Sequence, residues 1–451
     1  MKNNTQKLSR QIIVKMSYII YSMFIFVYLI TLNDENSNRL FFILMLFIIS
    51  YVIYSLILGA YLKEYIFIDF NFIFLSIFLL YSIIGPLYYI IFDAKFITYE
   101  VYSGIDVVQK TLIQYFGFFI IFSSMTFFKT IKKETLNIEI NKIGKFSFIT
   151  DFIAFMILSY WIFLIVSKVG VNIFSLDKSS ILDLIGENKV ITYGDYFMIS
   201  YTVYYFIFYI NKYFYTKKLK SFVNLKIFII LAYYLSNIII GNRRSFLILM
   251  IMTFVLISNY IIKSGKFKYF KYLFIIVGVL VIFLLAKGIT REVGGLGTAE
   301  YKYTKFFGEF VYNQWVSYYY VNDLGNSFSL YNGITFFLYP IIFLFPSVII
   351  KNKPEELALI FWREANTNQA LAFNPVSEGI LNFGNYSIVL TPIVYYLYLN
   401  LVNYKKYAPY LYVVLIGSTM DICRGQFALV FFEVIFVYIS FRLIKFVNSL
   451  R

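Results

Sequence analysis

Stretches of about 20 apolar residues recur along nearly the whole chain, and this recurrence constrains the fold more than any single motif does. A helix of that length crosses the hydrocarbon core of a bilayer, which is about 30 Å thick. Of the 451 residues 60% are hydrophobic and only 14% are charged, so dividing the length by a soluble-domain size misleads. The expected fold is an all-α polytopic membrane protein.

The first apolar segment, about residues 12–32, follows Lys2, Lys7, Arg10 and Lys15. It is too long for a removable signal peptide and lacks a small-residue cleavage site, so it is expected to remain as an anchor with its N-terminus in the cytoplasm. Further spans are expected at about 40–62, 66–92, 108–128, 148–168, 195–211, 226–242, 245–262, 270–288, 379–401, 408–423 and 426–445. That makes about 12 transmembrane helices, with both termini cytoplasmic.

Charge placement tests this layout, because basic residues collect in the cytoplasmic connections of membrane proteins. Lys129, Lys132, Lys133, Lys142 and Lys145 share one connection, Lys212, Lys217, Lys218, Lys220 and Lys226 the next alternate one, and Lys263, Lys266, Lys268 and Lys271 a third. The formal net charge of +16 therefore reads as topology and as attraction to anionic lipids of the inner leaflet, not as a nucleic-acid surface. The lipid bilayer is the first partner implied. Residues 331–350, with Pro340 and Pro346, are apolar enough to cross, but a crossing there would put Lys405, Lys406, Arg442, Lys445 and Arg451 outside. They are expected to form a re-entrant or interfacial segment within one large external loop that contains short helices. The chain then divides into 1–288 with the first nine spans, the extracytoplasmic loop 289–378, and 379–451 with the last three.

Composition removes several chemistries. The chain has no histidine, which excludes a His general base, a Ser-His pair and the usual His-containing zinc site. Its single cysteine, Cys423, has no partner for an internal disulfide or a metal cluster. No P-loop, dinucleotide fingerprint or internal repeat is visible. Catalysis, if any, falls to Arg, Lys, Asp, Glu, Tyr or backbone groups.

Three polar constellations lie on the outer face of this layout. Arg243 and Arg244 follow Gly241-Asn242 between the seventh and eighth spans, Arg424 lies between the last two spans, and Glu378 opens the tenth. Guanidinium groups stay charged and present forked donors that match phosphate oxygens, so the arginines can clamp a diphosphate headgroup. They can equally snorkel to headgroups or pair with carboxylates such as Asp421. Glu378 reads as a general base, as a group orienting a sugar hydroxyl, or as a favourable charge at a helix N-terminus. Glu433, over two turns into the last span, is expected to pair with a buried cation or stay protonated. In the external loop Tyr301, Tyr303, Phe306, Phe307, Phe310, Tyr312, Trp315 and Tyr318-Tyr319-Tyr320 suit an interfacial helix, and some of these rings suit stacking on sugars.

In their order along the chain these pieces resemble the Wzy-type polymerases of O-antigen and other oligosaccharide repeat units. That family carries a Gly-Glu-x-Tyr-x-Asn-Phe-Gly-like motif at the start of a late span, and Glu378, Asn382, Phe383 and Gly384 fall at the matching spacing. Pro346 to Pro354 resembles its proline-then-Lys-Pro segment, Gly241 to Arg244 its glycine-arginine turn, and Arg424-Gly425 its late Arg-Gly pair. Ser377, Ile380, Ser387 and Gln426 depart from the pattern, so no role resting on the motif's tyrosine or on an acid after Arg-Gly transfers to this chain.

The resemblance implies a membrane glycosyltransferase of the bacterial plasma membrane that moves a growing glycan from undecaprenyl diphosphate onto a new lipid-linked repeat unit at the outer face. It implies catalytic roles for Glu378, Arg243 and Arg424, and substrate contacts for Arg244, Arg291, Asn382 and Lys287. No metal or cofactor is required where arginines neutralise the leaving diphosphate. The partners implied are undecaprenyl-diphosphate-linked glycans and, in some systems, a chain-length regulator. A lipid-linked oligosaccharide flippase or a related glycan ligase remains the alternative.

Overall fold

In the computed structural model of the chain the described residues are 2–32, 37–61, 66–92, 104–127, 147–170, 184–185, 189–216, 224–240, 244–265, 267–273, 275, 278, 302–322, 330–345, 349–350, 352–365, 371–402 and 409–450. Among them every regular element is helical. In chain order they are α1 (Lys2–Thr31), α2 (Ser37–Leu56), α3 (Phe70–Phe92), α4 (Ile105–Phe127), α5 (Phe148–Lys168), α6 (Lys189–Thr216), α7 (Leu225–Ile239), α8 (Arg244–Ser264), α9 (Lys302–Asn322), α10 (Ile334–Phe337), α11 (Tyr339–Leu344), α12 (Leu357–Glu364), α13 (Pro375–Phe383), α14 (Ser387–Val402), α15 (Pro409–Gly417), α16 (Thr419–Arg424) and α17 (Phe427–Ser449).

Eight helical stretches among the described residues are long and apolar enough to cross a membrane: Arg10–Thr31, Ser37–Gly59, Phe70–Ile91, Ile105–Thr126, Phe148–Lys168, Arg244–Ser264, Pro375–Asn400 and Phe427–Ser449. This is the make-up of a multi-pass membrane protein. The segments expected at 195–211 and 226–242 are helical as α6 and α7, though neither is among the eight, and the one expected at 270–288 lies mostly outside the described residues. The segment expected at 408–423 is broken into α15 and α16 at Ser418, whose hydroxyl bonds back to the Val414 carbonyl at 3.2 Å, a contact that bends helices. Ile334–Leu344 is a short apolar helical stretch of two pieces, too short to cross about 30 Å of hydrocarbon at about 1.5 Å per residue.

The chain forms two compact units. The first comprises Met1–Glu134, Phe307–Asn403 and Thr419–Phe432. In it α4 packs against α1 and α14, α13 against α14, and α16 against α3. Aromatic rings stack within its core: Phe47 on Phe116 at 4.4 Å between centroids, and Phe78 on Phe118 at 4.5 Å. Gln109 of α4 donates to the Leu29 and Leu32 carbonyls at 2.9 and 2.7 Å, satisfying acceptors that the end of α1 leaves open.

The loop aromatics differ from their expected interfacial placement. Tyr318 and Tyr320 of α9 are buried in protein, because polar side chains of the same helix lock it to its neighbours. Gln314 donates to the Tyr81 carbonyl across the gap left by Gly85, Ser317 bonds the Tyr115 hydroxyl at 2.9 Å, and Asn313 donates to the Ala372 and Phe373 carbonyls at 3.1 and 3.2 Å. Tyr320 donates to Glu364 at 3.1 Å; burial and that carboxylate hold its phenol well above the ordinary range, so it stays a donor. Neither ring is available to stack on a sugar.

The second unit comprises Thr135–Phe306, Tyr404–Ser418 and Glu433–Arg451. Here α8 packs against α6 and α15, and α5 against α6 and α7. Two polar tiers tie the helices together. At the start of α5, the Ser147 amide and the Thr150 hydroxyl share the side-chain oxygen Oδ1 of Asn448 on α17 at 2.6 and 3.2 Å. Asp151, one turn on, accepts from Lys226 at 2.5 Å and from Tyr201 at 2.8 Å. The other tier joins Asp195 near the start of α6 to Tyr233 of α7 and Ser245 of α8.

Candidate functional site

Glu378 sits in the first unit on α13, whose N-terminus the sequence builds with care. Asn374 caps it by accepting from the Val376 and Ser377 amides, both at 3.0 Å, and the Ser377 hydroxyl accepts from the Asn374 amide at 2.9 Å. This reciprocal arrangement, with Pro375 in the first turn, fixes where the helix begins. Ser377, a departure from the family-like motif, is thus half of the cap. The helix ends at Gly384, whose φ of 55° and ψ of −130° belong to a region that side chains with a Cβ rarely enter. The Phe383-Gly384 pair of the motif is therefore a helix stop.

Between these ends Glu378 is wholly buried and makes two hydrogen bonds through its two oxygens. One oxygen accepts from the Thr335 hydroxyl of α10 at 2.8 Å, the other from the Phe427 amide at the start of α17 at 2.8 Å. The carboxylate therefore acts at a helix N-terminus, but that of the last helix and not its own. Asn382, one turn on, donates to the same Thr335 hydroxyl at 2.6 Å and to the Glu378 carbonyl at 2.7 Å. The Tyr331 amide bonds the Leu381 carbonyl at 3.1 Å, and Phe336 stacks on Phe383 at 5.7 Å. Residues 331–337 are in this way bound along α13.

Close packing allows this geometry. A Cβ at Gly379 would collide with Thr391 of α14, so only glycine lets the two helices approach so closely. A Cβ at Gly425 would come within 2.8 Å of the Asp421 carbonyl, which explains the glycine after Arg424. Arg424 donates from Nε to Asp421 at 3.0 Å and keeps 19% of its side chain exposed. Gln426, another departure, accepts from the Leu357 amide at 3.0 Å and so caps α12. Ser387 donates to Gln114 of α4 at 3.0 Å.

Arg244 lies in the second unit as the first residue of α8. A cation there opposes the positive end of the helix dipole. Glu433, on α17 and almost fully buried, forms an ion pair with it, while Arg244 stays 44% exposed. Beside them Asp195 accepts from the Tyr233 hydroxyl at 2.9 Å and from the Ser245 hydroxyl at 2.6 Å. Glu433 thus pairs with the guanidinium itself, and Asp195 with the side chain of the next residue along α8.

Of the residues expected from sequence, Glu378, Asn382 and Arg424 come together in the first unit, through the turn that joins Arg424 to Phe427. Arg244 belongs to the second. Arg243, Lys287 and Arg291 lie outside the described residues. Thr335, Gln426, Asp195 and Tyr233 were not anticipated. A carboxylate inside an apolar segment is itself a signal, and Asp195 could have been flagged on that ground. Comparison of the chain with protein-family models, with curated proteins and with solved structures finds no match.

Proposed function

We propose that this chain is a membrane glycosyltransferase that polymerises undecaprenyl-diphosphate-linked oligosaccharide repeat units at the outer face of the bacterial plasma membrane, yielding O-antigen, capsule or exopolysaccharide. The observation that carries this reading is the network around Glu378. It joins three segments far apart in sequence: the apolar stretch before the Lys-Pro pair, the Glu378–Gly384 motif and the turn after Arg424. These are pieces whose order resembles the polymerases.

The proposed topology has about 12 spans and both termini cytoplasmic, with 1–288 and 379–451 in the membrane and 289–378 as the external loop. Contacts within each unit support it. Ser147 meets Asn448, and Asp151 meets Lys226, all at ends assigned to the cytoplasm. Asp195 meets Ser245, Arg244 meets Glu433, and Gln109 meets Leu29 and Leu32, at ends assigned outside. Ile334–Leu344, held on α13 and too short to span, fits the re-entrant segment.

In the proposed reaction a hydroxyl of the incoming repeat unit attacks the anomeric carbon of the reducing-end sugar, and the bond to the lipid diphosphate breaks. Negative charge grows on the departing diphosphate, so preplaced guanidinium groups stabilise the transition state more than the ground state. Arg424 and Arg244 are the described candidates, with Arg243, Arg291 and Lys287 added from the sequence. Glu378, with both oxygens engaged and no exposure, is better suited to set the position of the Arg424 turn than to take a proton from substrate.

The test is a gel of lipid-linked surface glycan from cells lacking the gene, complemented with wild type, Arg244→Ala, Arg424→Ala or Glu378→Ala. Deletion should collapse a ladder to single repeat units, and the arginine variants should fail to restore it while inserting normally. A persisting ladder, or precursor retained inside the cell, overturns the reading in favour of transport.

A further inference from the structure

A groove in the second unit has no part in the chemistry above. Phe152, Met156 and Tyr160 stand one turn apart on α5, opposite Val190 of α6 and Tyr233 of α7, and enclose a cavity of about 330 Å³ that is open along one side. Positions four apart run along a helix axis, so the three α5 residues cover about 12 Å parallel to it at about 1.5 Å per residue. The wall is almost wholly apolar, and no charged side chain lines it. Its open side carries Phe152 and Met156, both about half exposed on a helix apolar enough to cross a membrane. A narrow apolar slot aligned with such a helix has the shape of a hydrocarbon chain and lacks the polar groups a sugar needs.

Tyr233 supplies the orientation. Its ring lines the slot, while its hydroxyl donates to Asp195, whose other oxygen accepts from Ser245 beside Arg244. A chain seated in the slot therefore passes Tyr233, and through Asp195 and Ser245 that residue is linked to the turn that carries the partly exposed Arg244. We propose that this groove seats the isoprenoid tail of the lipid-diphosphate donor, with Tyr233 linking its wall to the polar tier beside Arg244. The inference rests on the polymerase reading and adds to it a tail site. Its consequence is that the enzyme measures tail length: a donor too short to fill the slot loses the apolar burial and binds more weakly.

The experiment uses the full-length protein in lipid nanodiscs. Turnover is measured with repeat units linked through diphosphate to a long polyisoprenoid or to a two-isoprene tail, for wild type, Met156→Trp and the control Ile439→Trp, a substitution at an exposed position of α17. Wild type and the control should show a KM lower on the order of tenfold for the long tail. Met156→Trp, which fills the slot, should abolish that preference by raising the long-tail KM to the short-tail value. A preference that survives Met156→Trp overturns the proposal. A photoreactive polyisoprenyl diphosphate is applied to wild type in parallel. Labelling of α5 to α7 that excess phosphatidylglycerol does not displace supports the site; labelling elsewhere, or displacement by that phospholipid, overturns it. Absence of turnover with any donor while the groove is still labelled defeats the polymerase reading and leaves the lipid site standing.

Discussion

Glu378 and Glu433 are both carboxylates buried in apolar helices, and they are held by opposite means. Glu378 in the first unit faces no cation within hydrogen-bonding distance among the described residues; a hydroxyl and a backbone amide at a helix start take its two oxygens. Glu433 in the second unit faces the guanidinium of Arg244. The first arrangement is entirely short-ranged and fixes three chain segments relative to one another. The second leaves half of its cation open to the surroundings, which is the condition for that cation to meet a ligand as well. The difference separates a carboxylate that fixes a backbone turn from one that faces a partly exposed cation.

The largest effect should come from breaking the first arrangement. Glu378→Ala leaves the Thr335 hydroxyl and the Phe427 amide without their acceptor, at a cost of about 2–4 kcal/mol for two orphaned buried groups. Glu378→Gln keeps an amide oxygen for the Phe427 amide and a donor for the Thr335 oxygen. Thermal unfolding in detergent should therefore show a large loss for alanine and a small one for glutamine. Glycan ladders should persist with glutamine; their complete loss in a well-folded Glu378→Gln protein would return the residue to the role of proton acceptor.

The ion pair should yield less, because Arg244 is partly exposed and its attraction is screened. Arg244→Ala removes the cation that Glu433 faces, and about 1–3 kcal/mol is expected from that buried charge. Arg244→Gln combined with Glu433→Gln should recover most of it. A double-mutant cycle by denaturant unfolding with no coupling between the two positions would mean that the pair contributes nothing to the fold, and the contrast with Glu378 would then be one of function alone.

How much of this was legible follows from the range of each interaction. The spans were readable because hydropathy is summed over about 20 neighbouring residues. The break at Ser418 was missed because it rests on one side chain within a segment that stays apolar throughout. Glu378 stood out by its motif, yet its partners lie 43 and 49 residues away, and no local pattern names a threonine in an apolar stretch or a backbone amide as its acceptor's match. The aromatic run of α9 misled for a related reason. Its polar residues Asn313, Gln314 and Ser317 are the groups that bury the helix, through partners on distant segments that the aromatic pattern does not name.

Gly379 sharpens the comparison from the side of packing. Gly379→Ala forces α13 away from Thr391 and so draws Glu378 from the Phe427 amide, with a cost of about 1–3 kcal/mol expected for overpacking. Moving the glycine across the contact, as Gly379→Ala with Thr391→Gly, should restore part of the stability and the ladder together. Restoration of stability without the ladder would show that the position of α13, and not its mere folding, is what the site needs.

The smallest effect is expected at Ser245. Its hydroxyl donates to one oxygen of Asp195, and Ser245→Ala leaves the Tyr233 hydroxyl in place on the other. Hydrogen bonds between membrane helices average about 0.6 kcal/mol, so unfolding should shift only slightly. Tyr233→Phe removes the other donor at similar cost, and it alone also disturbs the groove wall. If the second unit tunes a charged group while the first builds a scaffold, both variants should change donor KM more than they change stability, which is the reverse of the order expected for Glu378→Ala. Equal losses of stability and KM in Ser245→Ala would make the Asp195 tier a scaffold too, and the two units would then differ only in where their carboxylates find partners.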